Sequence, residues 1–470
     1  MDDKIFRLLG KGAVYQEKHR KENEIFKKRK IDKSKASLKV ENAKVDSSGK
    51  SLTEEEIKVT RKSNQIKVYG SDIPSPYPEF GVDRLLISNL LKEGITCPTP
   101  IQMQSIPIVL ERRDLIACAS TGSGKTLAFL LPIIQSLLGT KHSGFRGLIL
   151  SPTKELATQI FNTFRTINEK TGVTACLCTK AFLQGLKGNK THNYDVLIST
   201  PLRLVGGIKD KIIDLSSVEH IVFDEADKLL DDGFLEQIDD ILSACTNENL
   251  QKSLFSATIS SGVEEIANSF MNDSIRIVIG SKGSAASLVE QKLIYVGQEE
   301  GKLMAFKKLL ADGIKPPVLL FVQSIEKSTE IFNELVYFGI NVAVISSEKS
   351  EEERATIIRN FRMGKIWVLI TTELLGRGID FKAINLVINY DCPQSIASYI
   401  HRIGRTGRAG RKGKAVTFFT DDDSKYLKGI ANVMRESGSE VEEWMLQLQK
   451  GKKTNSKRLK KKRLAMKSKE

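Results

Sequence analysis

Residues 114–138 read Asp-Leu-Ile-Ala-Cys-Ala-Ser-Thr-Gly-Ser-Gly-Lys-Thr-Leu-Ala-Phe-Leu-Leu-Pro-Ile-Ile-Gln-Ser-Leu-Leu. The short run Asp114–Cys118 gives way to small residues and then to a helical pattern, so the order is strand, glycine-rich loop, helix. The loop Ala119-Ser-Thr-Gly-Ser-Gly-Lys-Thr126 matches the phosphate-loop pattern, with Ala119 in place of its first glycine. Small residues let successive backbone N–H groups wrap phosphates at a helix N-terminus, where the dipole favours negative charge. Ala119, Ser120, Thr121, Gly122, Ser123 and Gly124 are the expected cradle. Lys125 is expected to reach the β and γ phosphates, and Thr126 to offer its hydroxyl to Mg2+.

Working outward, the same alternation recurs. Apolar runs at Gly147–Leu150, Asp195–Ser199, His220–Phe223 and Ser253–Phe255 are separated by helical segments such as Gly124–Leu137 and Glu155–Glu169. Strands that are apolar throughout, set between helices, predict a buried parallel sheet and an α/β class. A second series follows the Gly/Ser-rich stretch Gly280–Ser287, with strands expected at Val318–Val322, Val342–Ser346, Trp367–Thr371, Leu386–Asn389 and Ala415–Phe419. The expected organisation is an N-terminal extension over 1–70, a first domain over 71–279, a linker at 280–288, a second domain over 289–449 and a tail over 450–470.

The net charge of +15 sits at the ends of the chain. Residues 1–70 hold 19 Lys/Arg against 11 Asp/Glu, and residues 450–470 hold 11 against 1. Both segments are too polar to bury a core and are expected to be basic, disordered tails. Clustered Lys/Arg suits a phosphate backbone or an import receptor; a solvated tail without a partner is the plainer reading. The six cysteines lack a Cys-x-x-Cys pair and read as small buried hydrophobes of a reducing compartment. The start of the chain carries no secretory pattern, and the longest apolar stretch, broken by Pro132, is short for a membrane span, so an intracellular, soluble protein is expected.

Ile221-Val-Phe-Asp-Glu-Ala-Asp227 places carboxylates just after an apolar strand, at the end of a parallel sheet that faces a ligand crevice. Asp224 can hold Mg2+ through water, since that ion keeps much of its hydration shell. Glu225 is placed to orient or deprotonate an attacking water. With the companions below, the chain resembles the DEAD-box family of RNA helicases over roughly residues 78–445. The resemblance implies two RecA-like domains, ATP and Mg2+ as cofactors, and RNA as partner.

Further roles follow from the resemblance. Gly94-Ile-Thr-Cys-Pro-Thr-Pro-Ile-Gln102 is similar to the adenine-reading Q motif, with Gln102 on the adenine edge and Ile95 where the family usually has an aromatic ring. Ser256-Ala-Thr258 resembles the motif that couples hydrolysis to strand separation through the Asp227 region, and His401 belongs to the same coupling set. His401-Arg-Ile-Gly-Arg-Thr-Gly-Arg408 reproduces the sixth motif, which makes Arg405 and Arg408 arginine fingers. Thr372-Glu-Leu-Leu-Gly-Arg-Gly-Ile-Asp380 resembles the fifth, with Arg377 and Asp380 near ribose and phosphate, and with Glu373 and Gly376 as departures.

The implied RNA-facing residues are Thr153, Lys154, Gly185, Thr200, Arg203, Arg354 and Thr371, together with Phe321-Val-Gln-Ser324. Lys154 stands for a usual Arg, Leu202 for a usual Gly, and Gly185 alone for a usual Gly-Gly pair. Hydroxyls and cations there suit phosphate and 2′-OH contact without base reading. Arg377–Lys382, Asn385–Asp391 and the Lys-rich tail look similar to the branch serving small-subunit ribosomal RNA processing. That branch implies pre-rRNA, ribosome-assembly proteins and a nuclear, nucleolar location. Two other readings stand beside it: an ATP-dependent RNA clamp or scaffold without strand separation, and a DNA-directed translocase.

Overall fold

The computed structural model describes residues 53–77, 79–139, 144–186, 193–230, 233–259, 261–280, 289–346, 348–372, 384–407 and 412–447. The expected tails therefore fall outside the described residues up to 52 and from 448, as does the expected linker apart from Gly280.

Two sheets carry the chain. The first contains β1 (Ile66–Tyr69), β2 (Leu115–Cys118), β3 (Gly147–Leu150), β4 (Ala175–Leu177), β5 (Val196–Ser199), β6 (His220–Asp224), β7 (Gln251–Ser256) and β8 (Ile275–Ile279), in the spatial order β1-β8-β2-β7-β6-β3-β5-β4. The second contains β9 (Val289–Tyr295), β10 (Val318–Val322), β11 (Val342–Ile345), β12 (Val368–Thr372), β13 (Leu386–Asn389) and β14 (Gly413–Phe419), in the order β11-β12-β10-β13-β14-β9. All pairings are parallel except β1 with β8. Successive strand residues feed opposite faces. Ile149 joins one core cluster while Leu148 and Leu150 join the other, and Leu319 and Leu320 divide in the same way. Both faces of each sheet are thus covered, which is what the uninterrupted apolar strands demanded. Every strand read from the sequence is present, within one or two residues.

The N-terminal extension is corrected. Residues 53–69 belong to the first domain as helix Glu54–Ser63 followed by β1, which adds Ile66 opposite Ile279 at the sheet edge. The helix has a capping box: Thr53 Oγ1 accepts from Glu56 N at 3.3 Å, and Glu56 Oε2 accepts from Thr53 N at 2.8 Å. Acidic residues fill its first turn and basic ones its last, so local electrostatics holds a helix that buries no residue. The cysteine expectation is corrected at one position, since Cys97 is exposed. Among the described residues no helix is long and apolar enough to cross a membrane.

At the amino ends of the strands, buried Asp114 ties the first sheet together. Its Oδ1 accepts from Lys252 N at 2.7 Å and its Oδ2 from Asn272 N at 2.8 Å. Asp114→Ala leaves two part-buried backbone donors without their acceptor and is expected to cost about 2–4 kcal/mol. Urea denaturation of the full chain measures that loss, while ATP turnover by the folded fraction stays at the parental value because the catalytic groups lie at the opposite strand ends.

Candidate active site between the two domains

The order β2-β7-β6 sets three strand ends side by side, with Cys118 opposite Ser256 and Asp224 opposite Phe255. The phosphate loop, Asp224 and the Ser256–Thr258 turn, distant in sequence, therefore share one edge. Ala119 N donates to Ser256 O at 3.1 Å, fixing the start of the loop to its neighbour.

The loop turns through Gly122 and Gly124, both at positive φ, and helix Lys125–Leu137 starts on Gly124. A Cβ at Gly124 would overlap Gln102 Nε2, so glycine is needed for both the conformation and the close approach. Gln102 Nε2 donates to Gly124 O at 2.9 Å, and its Oε1 accepts from Thr99 N at 2.9 Å. The Gln102 amide thus spends one donor and one acceptor on the loop and its own cap, and keeps one of each. Lys125 Nζ donates to Ala119 O at 2.7 Å and Ser120 O at 2.9 Å. Burial lowers its pKa, opposed by the charges of Asp224 and Glu225. Ser123 Oγ is buried without a hydrogen-bond partner, and Thr126 is half-buried at the second helical position.

Asp224 ends β6, and Glu225 follows in a left-handed conformation at φ 51° before the short helix Ala226–Leu229. A non-glycine residue held there stores strain of the kind found at functional sites. Burial, then the neighbouring Glu225, pushes the Asp224 carboxyl up to about 7. Glu225 Oε2 is buried without a hydrogen-bond partner. Two crowded carboxylates with one unpaired oxygen fit a cation. Among the described residues no group of three or more His, Cys, Asp or Glu side chains could hold a metal.

The second domain closes this edge through helix Ile396–Ile403 and the turn after it. Thr121 Oγ1 donates to Gly404 O at 3.1 Å, and a Cβ at Gly404 would collide with that hydroxyl. Arg405 is 3% exposed, donates through Nε to His401 O at 3.1 Å, and brings a guanidinium nitrogen to 4.0 Å from Glu225 Oε1. Asp227 Oδ2 accepts from Thr258 Oγ1 at 2.6 Å and lies 3.2 Å from His401 Nε2. Thr258, Asp227 and His401, singled out separately in the sequence, meet at one carboxylate oxygen. Gly404, within the quoted motif but given no role there, is what permits the loop to come so close. Asp380, Arg377 and Arg408 lie outside the described residues.

The expected RNA-facing residues are spread over both domains with differing availability. Thr153 Oγ1 accepts from Leu156 N and so caps helix Lys154–Ile167. Thr200 caps helix Pro201–Lys209 without a side-chain bond, and Arg203 and Gly185 are exposed. Arg354 forms an ion pair across the domains with Glu155 at 3.0 Å, a partner that sequence reading did not supply. Thr371 has a fully buried side chain that donates to Thr372 O, and Thr372 is half-buried at the strand end. Gln323 N donates to Asp391 Oδ2 at 2.8 Å and Arg402 donates to Asp391 O at 2.9 Å, joining the loop after β10 to the finger helix.

An open cleft of about 650 Å3 lies elsewhere, lined by Arg112, Arg113, Asp114, Glu219 and Asn249. It sits at the amino ends of the strands, and its arginines are paired with Glu219 and Asp273, so it offers no catalytic constellation.

Comparison with known proteins agrees with this geometry. The sequence matches the family described as DEAD/DEAH box helicase over residues 99–266 and the helicase conserved C-terminal domain over residues 301–410. ATP-dependent RNA helicase ROK1 of Vanderwaltozyma polyspora is 49% identical over 414 residues, which span 84% of this chain and 73% of that protein. "Probable ATP-dependent RNA helicase ddx52" of Dictyostelium discoideum is 50% identical over 414 residues, 86% of this chain and 62% of that protein. The structure of S. cerevisiae Dbp5 bound to RNA and ADP BeF3 superposes with a TM-score of 0.69 at 27% identity, covering 77% of this chain and 94% of that one. With both matched regions holding the residues that meet between the sheets, the chain belongs to the DEAD-box helicase family.

Proposed function

We propose that this chain is an ATP-dependent RNA helicase that clamps RNA across its two domains and remodels short duplexes in small-subunit pre-rRNA processing. The observation that carries the reading is the junction itself. Arg405 of the second domain approaches Glu225 of the first, while His401 and Thr258 share Asp227. The first domain supplies the phosphate cradle and Lys125, and the second supplies permanent positive charge for the transferred phosphoryl group. Glu225 orients the attacking water and accepts its proton. Thr126, with Asp224 acting through water, would hold Mg2+, which would supply positive charge against the phosphates. Asp227 reports closure to the Ser256–Thr258 turn.

RNA is gripped through its backbone by Lys154, Thr200, Arg203 and Thr372 with the exposed turn at Gly185, and Arg354 exchanges between Glu155 and phosphate. The pre-rRNA role rests on Arg377–Lys382, Asn385–Asp391 and the Lys-rich tail, and on ROK1-named relatives at about half identity; nucleolar residence and ribosome-assembly partners follow from it. The test has two arms. Single-stranded RNA, and not DNA of the same sequence, is expected to stimulate ATP turnover and to accompany displacement of a short duplex strand. RNAs crosslinked in cells are expected to be small-subunit precursors. Equal stimulation by DNA sinks the RNA assignment, and ATP-dependent RNA binding without displacement leaves a clamp.

A further inference from the structure

The helix that carries Gln102 is held from behind by a segment no motif describes. Helix Pro100–Leu110 contains Pro107, which has no N–H to give to the carbonyl four residues back, Met103 O. Tyr77 N fills that place, donating to Met103 O at 2.8 Å. One residue on, the fully buried Gln104 is gripped at both ends of its amide. Arg61 Nε donates to Gln104 Oε1 at 2.9 Å, and Gln104 Nε2 donates to Pro74 O at 2.8 Å. Arg61 also donates to Pro74 O at 2.9 Å, closing a ring of three contacts. Residues 61–77 therefore form a strap whose two ends are fastened to one helix.

Positions 102 and 104 lie roughly 200° apart around an α-helix. The strap thus grips the face opposite the one from which Gln102 reaches Gly124 O. A short helix is stiff, so a shift at its back displaces Gln102 against the phosphate loop. The Arg61 guanidinium donates to two neutral acceptors, Gln104 Oε1 and Pro74 O, and burial lowers its pKa. Hydrogen bonds from a half-buried side chain to neutral acceptors contribute modestly to stability. The helix that carries Arg61 buries no residue, which also argues against a role in the core.

We infer that Arg61 is a positioning residue for nucleotide binding: by locking Gln104 to Pro74 it fixes the register of helix Pro100–Leu110 and hence the seat of Gln102 on the phosphate loop. The inference rests on the reading that this helix and loop bind ATP. Arg61 acts through Gln104 and touches no substrate.

The test uses the full chain and measures KM for ATP, kcat at saturating RNA, and the melting temperature. Arg61→Met is expected to raise KM about three- to tenfold with kcat kept within about twofold, the signature of lost binding rather than lost transition-state stabilisation. Gln104→Leu is expected to do the same, and the double variant to be no worse than either single one, because both break the shared Arg61–Gln104 bond that closes the ring. Gln104→Glu keeps the acceptor for Arg61 but replaces the Nε2 donor to Pro74 O with a second acceptor, so it is expected to raise KM as well. An unchanged KM in Arg61→Met overturns the inference, as does a joint fall of kcat and melting temperature that would mark a merely structural role. Lys125→Ala run alongside separates the two levels: if it also binds ATP normally, the nucleotide site itself has been misassigned.

Discussion

Arg405→Lys is expected to lower RNA-stimulated kcat by about 1,000-fold while leaving KM for ATP within a few-fold of the parent. The two effects separate because Arg405 stands on the second domain, whereas the cradle, Lys125 and Gln102 stand on the first. Its side chain is 3% exposed and anchored through Nε to His401 O, with one terminal nitrogen 4.0 Å from Glu225 Oε1. Lysine keeps the charge but has no fork, so it cannot hold the carbonyl and face the phosphoryl group at once. Stopped-flow or steady-state phosphate release at saturating RNA measures the change. A kcat within tenfold of the parent would place the transition-state cation elsewhere.

The parts of the site that lie within one domain were legible in the sequence, because a strand end followed by a particular loop is a local pattern. The phosphate loop after β2, Asp224 at the end of β6 and Ser256 at the end of β7 all sit where alternation and apolar runs placed them. Contacts between domains were legible only as roles. That Arg354 would find Glu155, or that Gly404 must be small because Thr121 arrives there, depends on how two sheets face each other.

Register decided another point. Thr371 and Thr372 are adjacent, and composition cannot say which is more open; Thr371 lies inside the sheet between Phe321 and Ile345, whereas Thr372 ends the strand. β1 and β9 escaped notice for a related reason, since Ile66-Lys-Val-Tyr69 and Val289–Tyr295 interleave charged or polar residues and gain their place from one neighbouring strand. β4 has only three residues. The helix at Glu54–Ser63 announced itself through Thr53 and Glu56, a signal drowned by averaging charge over 70 residues.

Glu225→Gln is expected to reduce kcat by about 100- to 10,000-fold, the range that general-base catalysis supplies. The substitution is nearly isosteric, so the left-handed turn at φ 51° and the Glu225 N bond to Asp224 Oδ1 have no steric reason to change. What disappears is a group able to accept a proton. The loss is specific to turnover because ATP and RNA are held by other residues, and the junction of Thr258, Asp227 and His401 is untouched. Asp224 cannot substitute, since its Oδ1 accepts from Glu225 N and its other role is to hold Mg2+ through water. The variant is therefore expected to form the closed complex with RNA in the presence of ATP and to remain in it, with RNA dissociation slowed in step with hydrolysis. Single-turnover hydrolysis and RNA release, followed on the same sample, measure both quantities. If hydrolysis falls but RNA leaves at the parental rate, the proton acceptor is correctly assigned and the clamp opens without hydrolysis. If hydrolysis persists within tenfold of the parent, Glu225 only shapes the turn that carries it.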